Sequence, residues 1–142
     1  MFLLCLLPSL LGCDKVDDNG DFGGYWLFEK VVSTNSATDA GPRPQSLSWG
    51  VRCEVIQIRR LLKTSDNEPY VYYFLSFVRS EDILQLTAAF GSDGSHDTPI
   101  PFSELPKDFA IPDDGRLKIL RLSASSLLIE GRDNTVMRFK KH

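Results

Sequence analysis

Apolar side chains in this sequence recur at every second residue, in short segments that are rich in aromatic and β-branched residues. In the segment 25–33, Trp26, Phe28 and Val32 share one face of an extended chain. Alternation of this kind between turn-forming residues predicts half-buried strands. Further strands are predicted at 46–62, 70–79, 82–90, 116–123, 126–130 and 135–141. About seven to nine short strands with almost no helix predict an all-β sandwich or a closed antiparallel barrel.

The long segment 46–62 changes phase partway along. Its apolar residues alternate from Leu47 to Val55, and the alternation then shifts to Ile56 and Ile58. A shift by one residue moves side chains to the other face of a sheet. The segment is therefore predicted either as one long strand with a bulge or bend, or as two strands.

Loop-forming residues dominate the middle of the chain. Glycine, serine and aspartate crowd 91–97, and four prolines follow between Pro99 and Pro112. This composition predicts a loop, with one helical turn at 103–109 that is capped by Ser103.

The first twelve residues form an uncharged apolar segment. The run from Phe2 to Leu11 is about half the roughly 20 residues that a membrane-spanning helix needs, and it contains Pro8. Its length is typical of the apolar part of a secretory signal peptide. The segment 1–12 is accordingly predicted to be a signal peptide, 13–23 an acidic tether with four aspartates, and 24–142 the folded domain.

The residues at the end of this run, Leu10-Leu11-Gly12-Cys13, resemble the bacterial lipobox. The resemblance implies cleavage before Cys13 and lipidation of its sulfur, which would attach the chain to a membrane. The alternative is an ordinary cleavage site followed by an incidental cysteine. The acidic tether also resembles the export signals of surface lipoproteins in Bacteroidota. This implies an outer-membrane lipoprotein, and the choice between the cell surface and the periplasmic face stays open.

The three cysteines have three predicted fates. Cys5 leaves with the signal peptide, and Cys13 takes the lipid. Cys53 would then be alone in the mature chain, without a partner for an internal disulfide. Because Cys53 is in step with two valines, it is predicted to be buried as a small apolar residue.

Charge and motifs exclude several functions. A net charge of −3 and a pI near 5.3 argue against nucleic-acid binding. The sequence contains no nucleophile elbow, phosphate-binding loop or zinc-protease motif, and adjacent carboxylates such as Glu81 and Asp82 point to opposite faces of a strand. The two histidines, His96 and His142, are too few for a metal cluster. We expect no enzymatic activity, no cofactor and no metal.

A motif at the first strand favours the barrel. The residues Gly23-Gly24-Tyr25-Trp26 resemble the Gly-x-Trp motif of lipocalin-like barrels. In that superfamily the tryptophan closes one end of the barrel, and an arginine of the last strand lies across its ring. The matching residues here are Trp26 and Arg138. The alternative is that Trp26 is an ordinary core residue and Arg138 a surface charge.

The order of these features resembles the lipocalin-like lipoproteins of Bacteroidota over about 13–142. The resemblance implies an antiparallel lipocalin-like barrel of about eight strands with one short helical turn. It names no ligand, and a fold alone does not define a function.

A barrel of eight strands either fills with side chains or holds one small ligand. Period two predicts a set of inward, candidate ligand-lining residues: Trp49, Val51, Tyr73, Leu75, Phe77, Leu84 and Leu86. One hypothesis is a lipid-anchored protein that binds a small apolar or amphipathic molecule. The other is a filled barrel that serves as an interaction subunit of a cell-envelope complex. A lumen above about 300 Å³ favours the first hypothesis, and a lumen filled with side chains opposes it.

Overall fold

The computed structural model describes residues 19–35, 47–61, 70–91 and 98–142. The predictions for the signal peptide, for Cys13 and most of the tether, and for His96 lie outside these residues. The described chain forms eight strands: β1 (Gly24–Ser33), β2 (Leu47–Arg52), β3 (Val55–Leu61), β4 (Tyr70–Ser80), β5 (Ile83–Gly91), β6 (Arg116–Leu122), β7 (Ser126–Glu130) and β8 (Val136–Lys141).

The strands close into one barrel in sequence order. Each strand pairs antiparallel with the next, and β8 pairs with β1 to complete the ring. Each described strand therefore has a paired neighbour on both sides, although only Ile83–Gln85 of β5 pair with β6. The prediction of a closed antiparallel barrel of about eight strands is therefore confirmed.

The described part of the segment 46–62 is two strands joined by a two-residue turn. β2 ends at Arg52 and β3 begins at Val55, and Cys53 and Glu54 form the turn between them. Cys53 adopts a left-handed backbone conformation, with φ of 54°. The turn explains the change of phase, because the two residues reverse the chain and restart the alternation.

The connection from β5 to β6 contains two 3-10 turns, Phe102–Glu104 and Lys107–Phe109. The single capped turn expected at 103–109 is therefore wrong in its boundaries and its cap. Ser103 lies inside the first turn, which has no side-chain cap; Pro101 precedes it. Among the described residues, no helix is long and apolar enough to cross a membrane.

The two ends of the barrel differ. We call base the end formed by the turns 53–54, 81–82 and 123–125, and mouth the end where the connections 98–115 and 131–135 lie. A 3-10 turn at Gly20–Phe22 covers the base and buries Phe22 completely. The core fills the space between the two ends with inward side chains from all eight strands.

Candidate functional site

The seven residues predicted to line a ligand site all lie on the inward face of the barrel. Six are buried, namely Trp49, Val51, Leu75, Phe77, Leu84 and Leu86. Tyr73 is half-buried and packs against the same core. The structure therefore brings the set together, and its role in ligand binding stays a prediction.

Side chains fill the centre of the barrel. The ring of Trp49 lies 4.9 Å from that of Phe139, and Phe139 contacts Phe28 edge-on at 5.6 Å. Trp49 is only 1% exposed, so it touches protein on all sides. Among the described residues, the central layer therefore consists of closely packed side chains around Trp49.

Trp49 places one polar atom, its indole Nε1, in this apolar layer. This Nε1 is buried and has no hydrogen-bond partner in the part of the chain that the structure describes. By contrast, the indole Nε1 of Trp26 donates to the carbonyl oxygen of Phe22 at 2.8 Å. A buried donor without an acceptor is destabilising, and native proteins retain few of them.

The cation over Trp26 is Lys141, not Arg138. The Lys141 ammonium lies 4.7 Å from the centre of the Trp26 ring. The two residues are directly opposite in the pairing of β1 with β8, whereas Arg138 is opposite Lys30. Because side chains alternate along β8, Lys141 shares the inward face with Phe139, and Arg138 points outward. Trp26 itself is fully buried near the base, and its role in closing that end of the barrel stays a prediction.

A segment of the β5–β6 connection closes the mouth. We call residues 105–111 the plug, because four of its side chains belong to the buried core: Leu105, Phe109, Ala110 and Ile111. Ala110 has φ of 57° and ends the second 3-10 turn, which directs Phe109 into the barrel. The plug is a loop, so its removal would disrupt no strand pairing.

Arg60 and Tyr73 receive the plug. The Phe109 ring contacts Tyr73 edge-on at 5.2 Å, and the Arg60 guanidinium lies 5.8 Å from the centre of the same ring. Arg60 also forms an ion pair with Asp108, with 2.9 Å between its Nη2 and Oδ2. Arg60 follows Ile56 and Ile58 on the inward face of β3 and is half-buried.

A second arginine holds the other side of the plug. The Arg132 backbone amide donates to the carbonyl oxygen of Ala110 at 2.7 Å. Its Nε donates to the carbonyl oxygen of Ile111 at 3.1 Å, and its Nη2 pairs with Asp113 at 2.6 Å. These bonds connect the plug to the β7–β8 connection.

An open groove lies on the outer face of the barrel near the base. It has a volume of about 570 Å³ and continues into a smaller cavity of about 260 Å³, and both are lined by Tyr25, Gly50 and Gln57. Tyr25 is 62% exposed. Its ring crosses Gly50, where a Cβ atom would lie 2.9 Å away. This groove is separate from the interior.

The prediction for Cys53 is wrong. It lies in the β2–β3 turn rather than within a strand, it is half-buried, and it takes part in a disulfide. The other cysteines of the chain, Cys5 and Cys13, lie outside the described residues. The alternation with Val51 was misleading because the strand ends at Arg52.

Within the described ranges, no group of three His, Cys, Asp or Glu side chains is placed to hold a metal ion. Glu81 and Asp82 form the β4–β5 turn, and Asp113 and Asp114 lie just before β6. The carboxylate of Asp113 pairs with Arg132. This arrangement supports no assignment of an acid–base pair.

Of the residues at the mouth, sequence reasoning included Tyr73 and missed Arg60 and Phe109. Arg60 has a signal, because it continues the inward row of Ile56 and Ile58 by two residues. Phe109 has a weaker one, the short apolar run Phe109-Ala110-Ile111 in a proline-rich segment. The contact between the two joins residues far apart in the chain, so no local pattern could reveal it.

Comparison with known proteins gives a consistent result. A family model described as a lipocalin-like domain matches residues 5–142. The chain is similar in structure to a lipocalin-like protein from Bacteroides uniformis, with a TM-score of 0.60 and 18% identity over 87% of this chain and 100% of that one. It is also similar to an uncharacterized protein from Bacteroides eggerthii, with a TM-score of 0.53 and 12% identity over 84% and 98% of the two chains. No curated protein matches the chain.

Proposed function

Because this chain belongs to the lipocalin-like domain family, we propose that it binds a small apolar or amphipathic molecule at the mouth of its barrel. The ligand would take the space that Phe109 fills. The observation that carries this proposal is the origin of Phe109: a connection supplies this side chain, whereas strands supply the layers below it. The role proposed for the chain is binding rather than catalysis.

Displacement of the plug would open a site of the right chemistry. Tyr73 and the apolar residues beneath it would form its walls, and Arg60 would lie at its rim. Ligand sites are predominantly apolar with a few polar groups that orient the ligand. Binding would be weakened by the fraction of molecules in which the plug is closed.

The test uses N-phenyl-1-naphthylamine, an uncharged probe that fluoresces in apolar surroundings. We expect weak binding to the wild-type protein and binding at least tenfold tighter to Phe109→Ala, because that variant vacates the mouth. Phe102→Ala is the matched control, since Phe102 lies in the same connection and outside the plug. Absence of binding to folded Phe109→Ala, checked by circular dichroism, would refute the proposal.

A filled barrel that serves as an interaction subunit is the second candidate. The packed central layer around Trp49 supports it, and so does the exposed ring of Tyr25 beside the outer groove. Under this proposal a cell-envelope protein would contact the outer face. Tyr25→Ala would weaken that complex without changing binding of the naphthylamine probe.

We also propose that the chain is an outer-membrane lipoprotein attached through Cys13, on the cell surface or the periplasmic face. The apolar run before Cys13 and the acidic residues after it support this location. Because β1 starts at the base, the anchor would hold the base toward the membrane and the mouth away from it.

Lipidation would act on both cysteines of the chain besides Cys53, namely Cys5 and Cys13. Cleavage before Cys13 would remove Cys5, and acylation would use the Cys13 sulfur. We expect the intact mass of membrane-extracted protein to include the lipid, and Cys13→Ala to release the protein from the membrane fraction. Cys53→Ala is the control and should stay attached. Membrane association of Cys13→Ala would refute the anchor.

A further inference from the structure

Asp108 and Phe109 together present to the barrel a carboxylate beside an apolar ring. The carboxylate pairs with Arg60, and the ring packs on Tyr73. A small molecule with an anionic head and an apolar body would offer the same two groups. The plug therefore has the chemistry of a ligand that the chain supplies to itself.

From this arrangement we infer that Arg60 is the carboxylate-binding residue of the site and that its ligand is an anionic amphiphile. The inference rests on the proposed binding function and adds the class of ligand to it. In the bound state the ligand's carboxylate would replace that of Asp108 on Arg60, and its apolar body would replace the Phe109 ring on Tyr73.

The position of Arg60 on β3 supports this assignment. Its side chain follows Ile56 and Ile58 on the inward face, so the guanidinium stands at the end of an apolar row. A guanidinium binds a carboxylate through two parallel N–H donors. The Arg60 side chain is 35% exposed, so a ligand can reach it and replace its partner. The rest of the side chain is shielded from water, which favours an anionic partner.

The exchange conserves charge at the mouth. Loss of the Asp108 carboxylate from Arg60 would leave a half-buried guanidinium without its anion, which is unfavourable unless another anion replaces it. An uncharged amphiphile would displace the Phe109 ring without supplying that replacement. Affinity should therefore depend on the head group as well as on the apolar body.

The experiment compares dodecanoate with 1-dodecanol, which have the same chain length, by displacement of the naphthylamine probe. For the wild-type protein we expect dodecanoate to bind roughly tenfold tighter than dodecanol. Arg60→Gln should bring this ratio close to one. Asp108→Asn should raise it severalfold, because it removes the competing carboxylate and keeps the size of the side chain.

The readout is the ratio of the affinities for dodecanoate and dodecanol. Each variant also loosens the plug, and this alters the affinity for both compounds. Arg59→Gln is the matched control, since Arg59 is the neighbouring arginine on the outer face and should leave the ratio unchanged. If Arg60→Gln binds both dodecanoate and dodecanol and the ratio is unchanged, this inference is overturned and the proposed function still stands. If neither dodecanoate nor dodecanol binds even to Phe109→Ala, both this inference and the proposed binding function are overturned.

Discussion

The ammonium of Lys141 lies 4.7 Å above the indole of Trp26, across the pairing that closes the barrel between its first and last strands. The same ammonium donates to the carbonyl oxygens of Asp21 and Gly23, at 2.8 and 2.7 Å. One side chain thus connects β8, the ring of β1 and the turn that covers the base. These contacts of Lys141 attach the turn at the base to the first and last strands of the barrel.

We predict that Lys141→Met lowers the free energy of unfolding by about 1–2 kcal/mol, because it removes the cation from Trp26 and the donor from two carbonyl oxygens. Lys140→Met is the control, since Lys140 is exposed on the opposite face and should change stability by less than about 0.5 kcal/mol. Urea unfolding measures both variants. Equal losses would argue against a structural role for the contact.

The two buried tryptophans should respond differently to the same substitution. Trp26→Phe removes a donor that is bonded to the Phe22 carbonyl oxygen, whereas Trp49→Phe removes one without a partner. Because both lose similar apolar volume, Trp26→Phe should cost about 1 kcal/mol more. Denaturant titration of the two variants checks this difference, and a greater loss for Trp49→Phe would contradict it.

Two glycines should differ for a reason of packing. A Cβ atom at Gly131 would collide with the backbone carbonyl oxygen of Ala110, which the plug holds in place. A Cβ atom at Gly50 would meet the exposed ring of Tyr25, which can rotate away. Gly131→Ala should therefore destabilise the protein by about 1–3 kcal/mol, and Gly50→Ala by less than about 1 kcal/mol. Thermal unfolding of both variants tests the order.

Two contacts of Arg132 should differ in their contribution to stability, because one is exposed and the other is partly buried. Asp113 is 73% exposed, so its pair with Arg132 is worth little, and Asp113→Asn should cost less than about 0.5 kcal/mol. Arg132→Met should cost about 1–2 kcal/mol, because the carbonyl oxygen of Ile111 then loses its donor. Hydrogen exchange adds a local measure: the amide of Ala110 should exchange faster in Arg132→Met alone. Equal protection in the two variants would show that the arginine side chain does not hold the plug.

The sequence determined the strands and the inward face, since both depend on local alternation. Trp49, Leu75 and Leu84 point inward for the same reason that they recur at every second position. The resemblance around Trp26 allowed closure of the barrel to be predicted. The cation that contacts the Trp26 ring could not be predicted, because the choice between Arg138 and Lys141 required the register of β8 against β1.

Only the tertiary structure decided what occupies the mouth. The contact of Phe109 with Tyr73 and the pair of Arg60 with Asp108 join segments about 36 and 48 residues apart, and no periodicity links them. The turn at Cys53 was only partly visible, because the change of phase at Ile56 indicates a bulged strand and two strands equally well. Alternation along a strand is set by backbone geometry and can be read locally. The closing of the barrel by a loop depends on packing between distant segments, and that exists only in the folded chain.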